Sequence, residues 1–271
     1  MSLMKDQHYP NVLQQDAWGK LKELTDARIA LGRVGCSVPT APLLAFQLAH
    51  AQAKDAVLQG LDVEKLTEQL QHQAVDILHI ESCATDKALY LKRPDLGRNL
   101  SDSAREQLQN YQTTHTQNKD VLIVIGDGLS ARAIEENAVA LIESLLQVFQ
   151  KQGWSVAPLV IAQGSRVALG DEVAEILQAD MLVMLIGERP GLSSPDSLGI
   201  YYTWQAKQGC HDAMRNCISN VRPAGLSVQV ATQRLLALMQ NSKQRRLSGV
   251  NLKDEHALLE QQDHYELKKL F

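Results

Sequence analysis

Residues 120–130 read DVLIVIGDGLS. Five consecutive apolar residues, Val121 to Ile125, four of them β-branched, run straight into a glycine-rich turn. A short run of that kind, closed by Gly and Asp, predicts a strand buried on both faces, as in a parallel sheet. Beyond it, Ile134, Ala138, Leu141, Ile142, Leu145, Val148 and Phe149 recur at spacings of three and four. That periodicity gives a helix one apolar face, and Gly153 stands where a left-handed helix end belongs. The cycle then repeats. WSVAPLVIA (154–162) is a second strand candidate, GSRVALGDEVAEILQA (164–179) a turn and helix, and ADMLVMLIG (179–187) a third strand. Strand, helix, strand, helix, strand predicts a parallel α/β sheet with right-handed crossovers, Rossmann-like in outline.

In such sheets ligands collect at the carboxyl ends of the strands. Here three loops begin at those ends: GDGLS (126–130), GSRVALGD (164–171) and GERPGLSSPDSLG (187–199). The stretch from Gly187 through Trp204 reads as a polar functional loop forming one lip of a crevice. Upstream, from Asp16 to about Gln117, the pattern is of helices and loops, interrupted between Gly32 and Pro42 and again at KRPDLG (92–97). Within it Pro39 or Thr40 opens APLLAFQLAHAQAKDAVLQG (41–60), with Pro42 in the first turn and Gly60 at the end. The expected organisation is a mainly helical N-terminal region, residues 1–118, followed by an α/β domain, residues 119–271.

Composition narrows the function. The chain has 271 residues, 45% hydrophobic, enough for a real core. The runs VLIVI and MLVMLI fall far short of the roughly 18 to 20 apolar residues that span a bilayer, and MSLMKDQHYP lacks the apolar stretch of a signal peptide. A soluble, intracellular protein is expected. A net charge of −4 with interspersed signs, and only 4% aromatic residues, argue against nucleic acid as a partner. Cys36, Cys83, Cys210 and Cys217 form no C-x-x-C pair, and the eight histidines, including His115 and His211 near loops, form no H-x-x-x-H pair. Neither a disulfide framework nor metal ligation is expected.

The loop residues each have a plain reading beside a functional one. GDGLSA can cradle a phosphate on backbone N–H groups, but matches neither G-x-G-x-x-G nor a Walker motif; a strand-to-helix turn capped by Ser130 or Asp127 explains it better. Arg166 is either a ligand contact or a solvated charge, whereas the backbone near Val167 can donate to a ligand's amide or phosphate oxygens. Glu188 is a general base only if a partner acid and a pocket exist; otherwise it is exposed and paired with Arg189. Ser193 and Ser194 lack a nucleophile elbow. Cys217, in NCISNVRPAG, reads most simply as a small buried hydrophobe. No acid, base or nucleophile set emerges, which fits one half of a shared active site.

Taken together, ARIALGRVGCSVPTAPLLAFQLAHAQAKDAV (27–57), LKRPDLGRNLS (91–101), VLIVIGDGLSARAIEENA (121–138), GSRVALGDEV, IGERPGLSSPDSLGIYYTW and CISNVRPAGLS resemble the small subunit of ethanolamine ammonia-lyase over nearly the whole chain. The resemblance implies an adenosylcobalamin-dependent lyase that turns ethanolamine into acetaldehyde and ammonia by a radical route, with cofactor held between this chain and a large TIM-barrel subunit. The helical region would dock on that subunit. The implied cobalamin contacts are Val167, through its amide nitrogen, Glu188, through its carbonyl oxygen, and Cys217. The D-x-H-x-x-G motif of other cobalamin mutases is missing, its nearest string being DQHYPN (6–11), so the cofactor's own benzimidazole base should stay on cobalt. The resemblance also implies a cytoplasmic location, with enclosure in a bacterial microcompartment as one possibility; an apolar stripe of Val12, Leu13, Ala17, Leu21 and Leu24 suits either an address or docking on the chain's own core. A free-standing nucleotide-binding or regulatory α/β module is the rival reading.

Overall fold

The computed structural model describes residue 13 and residues 16–252; the DQHYPN string, Val12 and everything after residue 252 lie outside the described residues. Among the described residues, α1 (Thr40–Leu58) and α2 (Val63–Leu70) precede β1 (Ile77–Glu81), α3 (Lys87–Lys92) and α4 (Asp102–Thr114). The α/β part continues as β2 (Lys119–Gly126), α5 (Ala131–Gln152), β3 (Leu159–Gln163), α6 (Leu169–Ile176) and β4 (Ala179–Gly187). It closes with β5 (Leu198–Trp204), β6 (Arg215–Val221) and α7 (Val228–Arg245). No helix among them is long and apolar enough to cross a membrane.

The six strands form one sheet in the order β1-β3-β2-β4-β5-β6. β2 sits at its heart, parallel to β3 on one side and to β4 on the other. Val121 to Ile125 are all completely buried, as the apolar run requires. Because side chains alternate along a strand, Val121, Ile123 and Ile125 face the core under α2, α5 and α7, while Leu122 and Val124 face the core under α4 and α6. Each such side chain contributes roughly 1.5–3 kcal/mol by leaving water. Helix α5 buries Ile134, Ala138, Leu141, Ile142, Leu145 and Phe149, and ends on Gly153 in the left-handed conformation at φ 68°. Val148, expected on the same face, is only half-buried.

Two expectations need correction. The sheet is mixed, because β5 runs antiparallel to β4, and β6 antiparallel to β5. The links 188–197 and 205–214 hold no α-helix, and without a crossover helix the chain returns beside the strand it has just left. SLGIYYTW is thus largely strand, not loop. The second correction is β1, which lies in the stretch read as helices and loops and pairs in parallel with β3 from Ile77↔Leu159 to Glu81↔Gln163. As an edge strand with His79 and Glu81 exposed, it lacks the continuous apolar signature.

The described residues separate into two compact units, one holding the chain up to Asp55 with Gly191–Ser194, the other holding the remainder. In the first, Arg28 donates to the Leu192 carbonyl at 3.3 Å and to Ser193 Oγ at 3.4 Å. The second contains the whole sheet.

Gly187 closes β4 where a Cβ would meet the Ser130 carbonyl oxygen at 2.0 Å and that of Asp127 at 2.7 Å. Gly187→Ala should therefore lower unfolding free energy by about 3 kcal/mol or more, since backbone cannot yield as a side chain can. Gly153→Ala has open space around its Cβ and should cost only the left-handed backbone penalty, roughly 1 kcal/mol. Urea denaturation of the two variants side by side measures the difference; equal costs would show that the close approach is not a constraint.

Candidate functional site

After β2 the chain crosses to β3 on one side and then to β4 on the other, so the loops that follow them diverge above the end of β2. Such a reversal of strand order leaves a crevice. A cavity of about 370 Å³ occupies it, lined by Gly128 and Leu129 from the first loop, Arg166 and Val167 from the second, and Gly187 and Glu188 from the third. Tyr90 and Tyr201 complete its walls. A second cavity adjoins it and shares Arg166, Val167 and Tyr201. All these residues belong to the unit that contains the sheet.

The GDGLS turn behaves as a helix start. Ser130 Oγ accepts from Ala133 N at 3.2 Å and donates to the Pro195 carbonyl at 2.8 Å, so it is the cap of α5. Asp127 is not a cap: it is buried beneath the cleft, where it accepts from Ser165 N at 3.0 Å. Its partner in charge is Lys87 Nζ, 3.6 Å away, which also donates to the Gly128 carbonyl at 2.9 Å. Burial pushes the Asp127 carboxyl above the usual carboxylate range, opposed by Lys87, and burial likewise lowers Lys87, opposed by Asp127.

Lys87 and Tyr90 come from α3, a segment in which sequence reasoning found no site. Tyr90 is fully buried and donates from its hydroxyl to the Ser165 carbonyl at 3.2 Å. Lys87 Nζ lies 5.1 Å from the centre of its ring, and the Arg166 guanidinium 4.8 Å. Arg166 is therefore a stacked, half-buried group and not a solvated charge. The one available signal was Gly97 in KRPDLG, read only as an interruption. A Cβ there would lie 2.7 Å from the Gly164 carbonyl oxygen and 3.0 Å from the Tyr90 ring, and Arg166 N donates to the Gly97 carbonyl at 2.7 Å. The KRPDLG loop thus packs directly on the GSRVALGD turn.

Val167 lies in the turn before α6, where Leu169 N bonds the Arg166 carbonyl at 3.0 Å and Gly170 N bonds the Val167 carbonyl at 3.2 Å. Glu188 is half-buried and does not pair with Arg189. Its carboxylate accepts instead from Ser197 Oγ, from Ser219 Oγ and, at 3.2 Å, from Asn220 N. Those bonds tie the lip to β6 and leave the side chain a structural task. Cys217, expected to be buried, is exposed. It lies on β6 opposite Tyr201, where alternation turns its neighbour Ile218 inward and the thiol outward. Desolvation by the surrounding chain pushes the thiol's pKa up, the neighbouring Tyr201 hydroxyl opposes this, and the Glu188 charge adds to it. Val167 and Glu188 thus line one cleft, and Cys217 reaches its Tyr201 wall.

The other side of α6 is clamped by a buried ion pair. Arg215 on β6 holds Asp171 through two nitrogens and also donates to the Cys210 carbonyl at 3.0 Å. With Arg105 Nε donating to Glu172 at 2.7 Å, the helix that carries the Val167 turn is fixed to β6 and to α4. A mixed α/β sheet with a cleft at its strand-order reversal, walled by backbone, two tyrosines and an arginine, places the chain among the α/β proteins. The chain belongs to the ethanolamine ammonia-lyase light chain family, whose model matches residues 15–253, and is thus an ammonia-lyase subunit. It is 48% identical over 252 residues to the ethanolamine ammonia-lyase small subunit of Pseudomonas aeruginosa (strain LESB58), covering 93% of this chain and 92% of that one. It is 50% identical over 241 residues to the small subunit of Azotobacter vinelandii, 89% of each chain, and 51% identical over 246 residues to that of Pseudomonas fluorescens, 91% and 90%.

Lys87→Met strips the cation from buried Asp127 and should destabilise the fold by about 3 kcal/mol at neutral pH. The pH dependence follows from sign. A carboxyl raised by burial binds its proton more tightly in the folded chain, so stability falls as pH rises above the ordinary value of 3.8. Without Lys87 the rise in pKa is larger and the fall steeper. Urea midpoints of variant and parent, taken at pH 4 and pH 7.5, should diverge with increasing pH; a constant difference would mean that charge pairing contributes nothing.

Proposed function

We infer that this chain is the small subunit of an adenosylcobalamin-dependent ethanolamine ammonia-lyase, which converts ethanolamine to acetaldehyde and ammonia, and that its strand-end cleft holds one side of the cofactor against a large subunit. The observation that carries this reading is the convergence of Val167, Glu188 and, through Tyr201, Cys217 on one cleft. The residues present fit such a ligand. Leu129, Ile186 and Tyr201 offer apolar wall, the Val167 turn offers backbone donors, and Arg166 Nε is buried with no hydrogen-bond partner. A cleft of about 370 Å³ accommodates only part of a corrinoid, which is the expectation for a site completed by another subunit.

When bound, adenosylcobalamin supplies the radical chemistry, which is the cofactor's own. The chain's residues bind and orient. Val167 donates from its main-chain N–H, and Glu188 offers its carbonyl while its carboxylate, bonded to Ser197, Ser219 and Asn220 N, holds the lip in place. The neutral Cys217 thiol packs at the rim. In this reading the substrate is held by the large subunit.

Docking on the large subunit falls to the helical N-terminal region. Support comes from α1, where Leu44 is 57% and Leu48 61% exposed one turn apart, and from Trp18 and Leu24, which stand 67% and 83% exposed. Apolar surface of that extent is what a partner covers. The Ala17–Glu23 helix buries no residue, which leaves Ala17 and Leu21 available to a partner or to a microcompartment shell around a cytoplasmic enzyme.

The purified chain with adenosylcobalamin should release no ammonia from ethanolamine, and co-expression with the large subunit should restore release. Turnover by the lone chain, or none by the pair, overturns the reading. Within the active pair, Val167→Ala should change cobalamin affinity by no more than about 1 kcal/mol. Val167→Pro, which removes the donor N–H, should raise the dissociation constant about tenfold or more. Equal effects in equilibrium dialysis would place the contact on the side chain.

A further inference from the structure

We propose that Arg166 is the anion-binding residue of the cleft and that it holds a phosphoryl oxygen of the cofactor's phosphodiester, an assignment that rests on the cobalamin reading above. Its guanidinium lies 4.8 Å from the centre of the Tyr90 ring, and its buried Nε has no hydrogen-bond partner. A guanidinium held over a ring face spends none of its N–H groups on that contact and keeps them for a ligand, and their fork suits the geometry of phosphate. The platform cannot shift: Tyr90 is fully buried, its hydroxyl is bonded to the Ser165 carbonyl at 3.2 Å, and only the missing Cβ of Gly97 lets that loop lie against the ring.

Charge selects the class of ligand. Lys87 and Arg166 both face the Tyr90 ring, whereas Asp127 is the carboxylate that offsets them, and its ion pair is with Lys87 at 3.6 Å. Glu188 adds a carboxylate at the opposite lip, but its two oxygens accept from Ser197, Ser219 and Asn220 N. One positive charge around the ring is therefore left without a carboxylate partner, and an anionic oxygen complements it better than a neutral amide. The chain's main-chain contacts at Val167 and Glu188 carry no such charge preference, so the phosphodiester is the group that Arg166 can distinguish.

The test uses the co-purified complex of this chain with the large subunit and three probes in equilibrium dialysis: cobalamin, cobinamide phosphate, and cobinamide, which lacks the phosphodiester. Arg166→Met should raise the dissociation constants of the two phosphate-bearing probes about tenfold or more, a change of about 1.4 kcal/mol, and leave that of cobinamide unaltered. Arg166→Lys, which keeps the charge, should recover part of the loss. Cobinamide serves as the folding control, because a collapsed cleft weakens all three probes alike. An equal loss on all three, or no loss on any, overturns the assignment. Inorganic phosphate titrated alone separates the remaining source: phosphate binding lost in Arg166→Met while cobalamin binding stays intact makes this a free-anion site and overturns it as well. If the parent complex binds no probe, the cobalamin reading itself has failed.

Discussion

The close approach of two backbones at the ends of β2 and β4 governs this protein. A Cβ on Gly128 would come within 2.3 Å of the Gly187 carbonyl oxygen, and one on Gly187 within 2.0 Å of the Ser130 carbonyl oxygen. Leu129 N then donates to the Gly187 carbonyl at 2.9 Å, joining the first and third loops across the top of the sheet. Gly128 meets the turn's need for a left-handed residue at φ 54°. Because these two loops are locked together, the second loop, with Arg166 and Val167, can only rise beside them, and the cleft follows.

Beneath that contact lies a layer of buried polar groups. Asp127 receives Ser165 N, Lys87 reaches the Gly128 carbonyl, and Tyr90 reaches the Ser165 carbonyl, so the first and second loops share one network with α3. Buried groups of this kind are costly unless satisfied, and once satisfied they permit a single arrangement. On the far side Arg215 and Asp171 join α6 to β6, which sets the Val167 turn against the Tyr201 wall. These bonds hold the floor of the cleft, and with it the three loops, in one arrangement.

Legibility in the sequence followed burial. β2 and β4 were readable because both faces are covered, so nearly every position is apolar. β1 and β6 were not, because edge strands keep polar residues: His79 and Glu81 in one, Ser219 and Asn220 in the other. β5 was hidden by the Gly, Pro and Ser of the stretch before it, although Ile200 and Tyr202 point inward with the expected alternation. For the cleft, Val167 and Glu188 were reached from loop position and family resemblance, whereas Lys87 and Tyr90 had no local mark.

By itself, then, the amino-acid order determined the central strands, the long helix α5 with its Gly153 end, and the three loops that meet at the strand ends. These follow from short-range rules: apolar period, capping chemistry, and the backbone freedom of glycine. Tertiary structure alone decided that the last two strands turn back antiparallel, that Cys217 faces outward beside Tyr201, and that Arg166 stacks on a tyrosine far away in the chain. Those outcomes depend on contacts between segments remote in sequence, and a solvated arginine and a stacked one are spelled with the same residue.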